Sequence, residues 1–296
     1  MVTIRKETRG AKEYYYLEHS VRQHDTVLKK RVYLGERLPK DMDPIKKKLL
    51  YDIYKERWFP LLESISKAYA KEQASMPPSL REKEQGSFTV KFTYDTQRIE
   101  GSTLTLRETA ELLEKGTTPK ERPIADVKEA EAHKEVFLEM LRYERDLSLQ
   151  AVLYWHMKLL KQTKQDIAGK IRKHQVGIAG SRFVPPSPVE VGPSLDDFFK
   201  WYDSEKKKLH PVELAALAHL KFVTIHPFAD GNGRISRILM NFVLHKHNYP
   251  LFNIEYRGRS SYYTALERAQ TKEQDHIFVQ WLVRKYVKEN RRRYGL

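Results

Sequence analysis

A twelve-residue run, His226-Pro-Phe-Ala-Asp-Gly-Asn-Gly-Arg-Ile-Ser-Arg237, constrains this chain more than any other segment. Gly231 and Gly233, on either side of Asn232, let the backbone turn tightly and aim its N–H groups at an anion. Residues 235–244 follow with apolar side chains at helical spacing. The turn is therefore expected at a helix N-terminus, where free N–H groups and the helix dipole favour phosphate. Arg234 and Arg237 lie three apart and share a face of that helix. Asp230 offers a hard oxygen ligand suited to Mg²⁺, with Mn²⁺ as an alternative, bridging phosphates. His226 is the one side chain of the run whose ordinary pKa lies near neutrality, which makes it the natural general base. The plainer alternative is a glycine-rich turn before a core helix.

Around this run the pattern is mostly helical. Residues 1–40 differ: Tyr14-Tyr-Tyr-Leu17 and Arg31-Val-Tyr-Leu-Gly35 read as two or three short strands. Pro39 and Pro44 punctuate, residues 45–74 have helical periodicity, and Met76-Pro-Pro-Ser79 breaks it. Helical spacing then recurs near 106–115, 124–146, 148–162, 194–207, 211–224, 234–247, 260–271 and 274–290, with caps expected at Thr105 and Ser194. The stretch Val176–Pro188 is β-like, contains glycine and ends in prolines. It reads either as a β-hairpin, whose edge could take an extended peptide by strand addition, or as a plain loop. The expected organisation is a β-rich segment over 1–40, a helical linker over 41–85 and a helical core over 86–290.

Composition narrows the setting. Lys and Arg number 54 against 39 Asp and Glu, a net charge of +15, and cysteine is absent. Disulfides and thiolate metal sites are thereby excluded, and a reducing compartment, the cytoplasm, is expected. No apolar run approaches the length of a membrane span and the N-terminus has no signal-peptide core, so no membrane association is expected. The short basic runs 46–48, 206–208 and 291–293 are scattered. They read as solvated surface, although the charge and the tyrosine-rich strands also suit weak nucleic-acid contact.

A second constellation is Thr96-Gln-Arg-Ile-Glu100-Gly101. Thr96 and Glu100 share a helix face, and Gly101 suits a helix C-terminus. Taken alone this is an ordinary exposed helix end.

The run at 226–237 matches every fixed position of the signature HPFx[DE]GNGRxxR, and on it the chain resembles the Fic family. The resemblance extends over roughly 86–290, through residues 210–226, Tyr249-Pro250 and Arg259-Ser-Ser-Tyr-Tyr263. It implies a mainly α fold, a Fic helical bundle with a β-hairpin flap near 175–187, preceded by the β-containing segment and a helix. It implies protein adenylylation: transfer of AMP from ATP to a Ser, Thr or Tyr hydroxyl of a target docked on the flap near Val176–Pro186. His226 would be the base and Asp230 the metal ligand. Gly231, Asn232, Gly233, Arg234, Ile235, Ser236 and Arg237 would take the phosphates. Ile178, Ala179 and Gly180 of the flap, with Tyr262, Tyr263 and Gln270, would flank the adenosine; Gln270 stands where the family often has Asn. Thr96, Glu100 and Gly101 match the family's inhibitory motif, and their place before the core implies the N-terminally inhibited class. Hydrolytic removal of AMP, with Glu100 orienting water, is the alternative chemistry. A nucleotide-sensing regulator is the alternative of another class, and a homodimer through helical faces stays open. Phe228 is expected in the core, and His210, His219, His245 and His247 in structural or surface roles.

Overall fold

The computed structural model describes residues 2–23 and 26–296. Two compact units divide between Ser64 and Ile65, a boundary that falls inside one long helix.

The first unit holds a three-stranded antiparallel sheet in the order β1 (Val2–Arg9), β2 (Lys12–Gln23), β3 (Thr26–Gly35). The strands run longer than the aromatic stretches alone suggest, because alternation continues on both sides of them. One face places Leu17 with Val2, Val21, Val32 and Leu34 against Leu49 and Ile53 at the start of α1 (Asp43–Ser75). The other face carries Tyr14, Tyr16 and Tyr33, whose rings touch, with Arg31 over Tyr16. Arg31 and Arg5 on that face pair with Glu7 and Glu18. Arg9 and Lys29 share the same two carboxylates, so the cations of this face outnumber its anions.

The second unit is helical. After the break at Met76-Pro77 come α2 (Pro78–Ile99), α3 (Leu106–Lys115), α4 (Ile124–Arg142), α5 (Leu149–Leu160), α6 (Pro188–Glu205), α7 (Pro211–Ile225), α8 (Asn232–Lys246), α9 (Arg259–Thr271) and α10 (His276–Tyr294). Helix α3 begins at the expected Thr105, whose hydroxyl accepts from the Glu108 N–H while the Glu108 carboxylate takes the Thr105 N–H. Helix α6 begins earlier than expected. Ser187 and Glu190 form the capping box, Pro188 occupies the first turn, and Ser194 lies inside the helix.

Helices α7 and α8 pack more extensively on each other than any other helix pair. Ala215, Ala216 and Ala218 of α7 are fully buried. Helix α8 is buried on every side from Asn232 to Leu244, with only Gly233 half-buried. The loop joining the two helices is the His226–Gly231 run, so the site rests on the most extensively packed helix pair of the unit.

The flap differs from expectation. Residues 175–187 form a turn at Ala179-Gly180, closed by the Ser181 N–H to the Ile178 carbonyl at 3.0 Å, with no strand ladder. Pro185, Pro186 and Pro188 have no N–H to donate, so the returning leg cannot pair along its length.

Candidate active site

Helix α7 ends at His226, which adopts the left-handed conformation (φ 50°, ψ 57°). A non-glycine residue there stores strain that the surroundings must hold. The imidazole Nδ1 lies 3.2 Å from the Val223 carbonyl. A carbonyl only accepts, so Nδ1 carries the proton and Nε2 is left with its lone pair. Burial pushes the His226 pKa below its usual value, and the nearby Arg172 pushes the same way against the Val223 bond. The imidazole is therefore neutral at pH 7, the form a base requires.

The loop is closed by Asn232. Its Oδ1 accepts from the Phe228 N–H at 2.9 Å and its Nδ2 donates to the Phe228 carbonyl at 2.8 Å. The Asn232 side chain is thus spent on the loop and does not face a ligand. Phe228 is 1 % exposed and stacks on His156 at 3.7 Å, as a core anchor should. The His156 Nδ1 accepts from the Gly169 N–H, and its Nε2 lies 2.9 Å from the Asp230 carbonyl. Burial holds its pKa down to about 4 and keeps this neutral tautomer in place.

Gly231 caps α8 with φ +82° and no side-chain cap bond. The N–H groups of Asn232, Gly233 and Arg234 open the helix and have no intrahelical acceptor. The Ile235 N–H already bonds to the Gly231 carbonyl. The side chains of Ile235 and Ser236 are fully buried, with the Ser236 hydroxyl on the Asn232 carbonyl, so these two expected ligand contacts point into the core instead. A Cβ on Gly233 would lie 2.4 Å from the Glu100 Oε1. The carboxylate thus sits against the opening of the helix, where an anion is favoured.

Glu100 arrives there as the C-cap of α2, followed by Gly101 at φ +102°. Its Oε1 accepts from Arg237 Nη2 at 2.6 Å. Arg237 is 1 % exposed and also donates to the Thr96 hydroxyl at 3.2 Å, to the Thr96 carbonyl at 3.3 Å and to the Tyr262 hydroxyl at 3.4 Å. Arg237 is thus brought onto Thr96 and Glu100, which lie 141 and 137 residues before it.

Arg234 is turned inward, onto Glu129 and onto Asp230 at 3.1 Å. Lys164 completes the group, reaching Asp230 Oδ2 at 2.5 Å and Glu129 Oε1 at 3.2 Å. Burial alone would raise the Asp230 pKa, but Arg234, Lys164 and the Gly231 N–H hold it down to about 2. Asp230 is therefore ionised at neutral pH. Glu129, Lys164, His156 and Arg172 were not singled out in the sequence. Each sits on another segment, and no local spacing betrays it.

The adenosine flank is only partly assembled. Tyr262 is 1 % exposed, its hydroxyl 3.1 Å from His219 Nε2 as well as near Arg237, so it props the arginine rather than facing a base. Tyr263 is 46 % exposed and tethered to the Ile99 carbonyl at 2.9 Å. Gln270 donates to the Thr224 hydroxyl at 3.1 Å. Ile178, Ala179 and Gly180 form the flap turn. His210 caps α7 through its Nδ1, and His219 is fully buried on Phe278.

A family model described as Fic/DOC family matches residues 146–244. The protein adenylyltransferase Fic of Drosophila melanogaster is 37% identical over 186 residues, covering 60% of this chain and 36% of the relative. That of Drosophila virilis is 38% identical over 186 residues, covering 60% of this chain and 37% of the relative. The chain spans just over a third of the length of these curated relatives. Among solved structures, a Fic domain containing signaling protein from Bacteroides thetaiotaomicron superposes with a TM-score of 0.71 at 28% identity, over 78% of this chain and 94% of that one. Fic-1 from C. elegans gives a TM-score of 0.71 at 26% identity, over 86% of this chain and 76% of that one. Sequence, fold and the loop between α7 and α8 agree on one likeness: residues 146–244 match the Fic/DOC family.

Proposed function

We propose that this chain is a protein adenylyltransferase restrained by its own Glu100. The observation that carries the reading is the convergence of a base with a free Nε2, a helix opening with unclaimed N–H groups, and Arg237. His226 takes the proton of a target Ser, Thr or Tyr hydroxyl. That oxygen attacks the α-phosphorus of ATP, an O–P bond forms, the bond to the β-phosphate oxygen breaks, and pyrophosphate leaves. The N–H groups of residues 232–234 and the Arg237 guanidinium stabilise charge on the polyphosphate. Among the described residues no group of three or more His, Cys, Asp or Glu side chains could hold a metal. Asp230 alone, ionised and a third exposed, suits a Mg²⁺ or Mn²⁺ ion that takes its other ligands from phosphate and water. Such an ion would add charge neutralisation on the phosphates when bound.

Restraint follows from the place of the Glu100 carboxylate. It occupies the helix opening and pairs with the arginine that a γ-phosphate would need. ATP in the reactive pose must displace it. The protein target docks on the flap near 176–186, through a turn with backbone groups left open by the missing ladder. Among the described residues no helix is long and apolar enough to cross a membrane.

The test is transfer of label from α-³²P-ATP with Mg²⁺ to the chain itself or to a lysate. Glu100→Gly should label protein well above the unsubstituted chain, and Glu100→Gly with His226→Ala should not. Label equal in all three would remove the reading. A second reading has support from the same carboxylate, which is 26% exposed at the site. It could orient water for hydrolysis of AMP from a modified target. Release of AMP from an adenylylated protein by the unsubstituted chain, lost in Glu100→Gly, would identify it.

A further inference from the structure

Arg172 stands in the cationic run Lys170-Ile-Arg-Lys173, yet only 3 % of it is exposed. Buried arginines usually meet carboxylates, as Arg234 and Arg237 do here. Arg172 meets none among the described residues. Its guanidinium is shared among three carbonyls: Nε donates to His226 at 2.7 Å, Nη1 to His174 at 3.1 Å and Nη2 to Pro186 at 2.5 Å. Its own backbone N–H donates to the Pro227 carbonyl at 2.9 Å.

These partners have a pattern. His174 and Pro186 bracket the two feet of the flap. His226 and Pro227 open the catalytic loop, where His226 is held in its left-handed conformation. The flap has no ladder of its own, and apart from Arg172 its legs are joined by Gln175 Nε2 on the Pro185 carbonyl at 3.0 Å. A planar guanidinium can donate in three directions at once, whereas an ammonium on a flexible stem cannot hold three carbonyls in one plane. Burying a cation without a counter-ion is unfavourable, and burial alone pulls its pKa down. Such a placement is retained where geometry is worth more than the charge costs.

We propose that Arg172 is a positioning residue that fixes the flap and the His226 backbone in one frame, so that an extended target segment laid on the flap presents its hydroxyl to His226. The proposal rests on the adenylyl-transfer reading for its consequence, but its physical content is the coupling of flap and loop.

The test uses the full chain with Arg172→Met and Arg172→Lys, each also combined with Glu100→Gly. Trypsin reports the flap through cleavage after the exposed Arg182. Cleavage there should quicken about tenfold or more in Arg172→Met and severalfold in Arg172→Lys, with global melting still cooperative. NMR titration of ¹³C-labelled histidine, assigned with His226→Gln, should show the His226 pKa rising in Arg172→Met and nearly unmoved in Arg172→Lys, which keeps the charge. Glu100 and Asp230 also face His226 electrostatically and stay in place in the Arg172 single variants. With Glu100→Gly, ATP affinity should change less than about twofold while label transfer to a protein target falls about thirtyfold or more. A folded Arg172→Met chain with unchanged cleavage at Arg182 and an unchanged His226 titration would overturn the proposal. Should Arg172→Met fail to fold, Arg172→Lys decides: unchanged cleavage and unchanged transfer overturn it. If Glu100→Gly alone labels nothing, the adenylyl-transfer reading fails, while cleavage and titration still decide the coupling.

Discussion

The Glu100 carboxylate meets the Arg237 guanidinium at 2.6 Å immediately beside the α-carbon of Gly233. The glycine and the ion pair are therefore not independent. A methyl at 233 would enter the space that the Glu100 oxygen holds. Gly233→Ala should destabilise the otherwise unsubstituted chain by about 1–3 kcal/mol, because a buried arginine loses its partner. In Glu100→Gly the same change should cost under about 1 kcal/mol, since alanine suits a helix better than glycine. A urea double-mutant cycle measures the difference, and additive costs would separate the two features.

Thr96 should tune the same pair. Its hydroxyl accepts from Arg237 Nε at 3.2 Å, and Thr96→Val removes that acceptor while keeping the shape. Label transfer from α-³²P-ATP should rise severalfold, short of the gain from Glu100→Gly. A valine variant as silent as the unsubstituted chain would show that Glu100 needs no help from Thr96.

Asn232 closes the catalytic loop with two bonds to one residue. Asn232→Ala leaves a buried N–H and a buried carbonyl of Phe228 without partners, at about 2–4 kcal/mol. Asn232→Asp should not rescue it, because a carboxylate can keep the N–H but faces the carbonyl with a second acceptor. Thermal melts of the two variants should both fall well below that of the unsubstituted chain.

Two buried histidines predict acid sensitivity. Burial holds His133 down to about 3 and His156 down to about 4, and both are neutral in the fold. Unfolded histidine takes a proton near pH 6.5, so between there and the folded values the unfolded state binds more protons. Stability therefore falls as pH drops through that window. At pH 5 each contributes a loss of about 2 kcal/mol relative to pH 7. Urea unfolding at the two pH values should show it, and His133→Gln should lose a good part of the difference. A pH-independent midpoint would contradict the buried neutral state.

Much of this architecture was legible in the residues. The periodic segments after 100 became helices within a few residues of their expected limits, because amphipathic spacing and caps such as Thr105 act locally. Thr96, Glu100, His226 and Arg237 were marked by spacing within short motifs. What escaped were partners supplied from far along the chain. Glu129 reaches Arg234 across 105 residues, Lys164 reaches Asp230 across 66, and Arg172 reaches His226 across 54. Nothing local distinguishes these from surface charges. Tyr262, set beside the adenosine by the resemblance alone, has its hydroxyl on Arg237 and its ring against Trp281, contacts that helical spacing does not disclose. Start of α6 at Ser187 rather than Ser194 reflects a capping box hidden among prolines, and those same prolines remove the hairpin ladder.

Glu100 is the last cap of a 22-residue helix rather than a group on a free loop. On the inhibitory reading it is a ligand tethered to its own receptor, so dilution of the protein leaves its local concentration unchanged. Nucleotide competes against a constant, and occupancy of the site becomes a threshold in ATP concentration set by that tether. Raising salt weakens the exposed side of the ion pair, but it weakens phosphate binding as well, so ionic strength is a poor key. Fraying of the final turn of α2 is a better one, since it lowers the local concentration of the carboxylate without touching the nucleotide's own contacts.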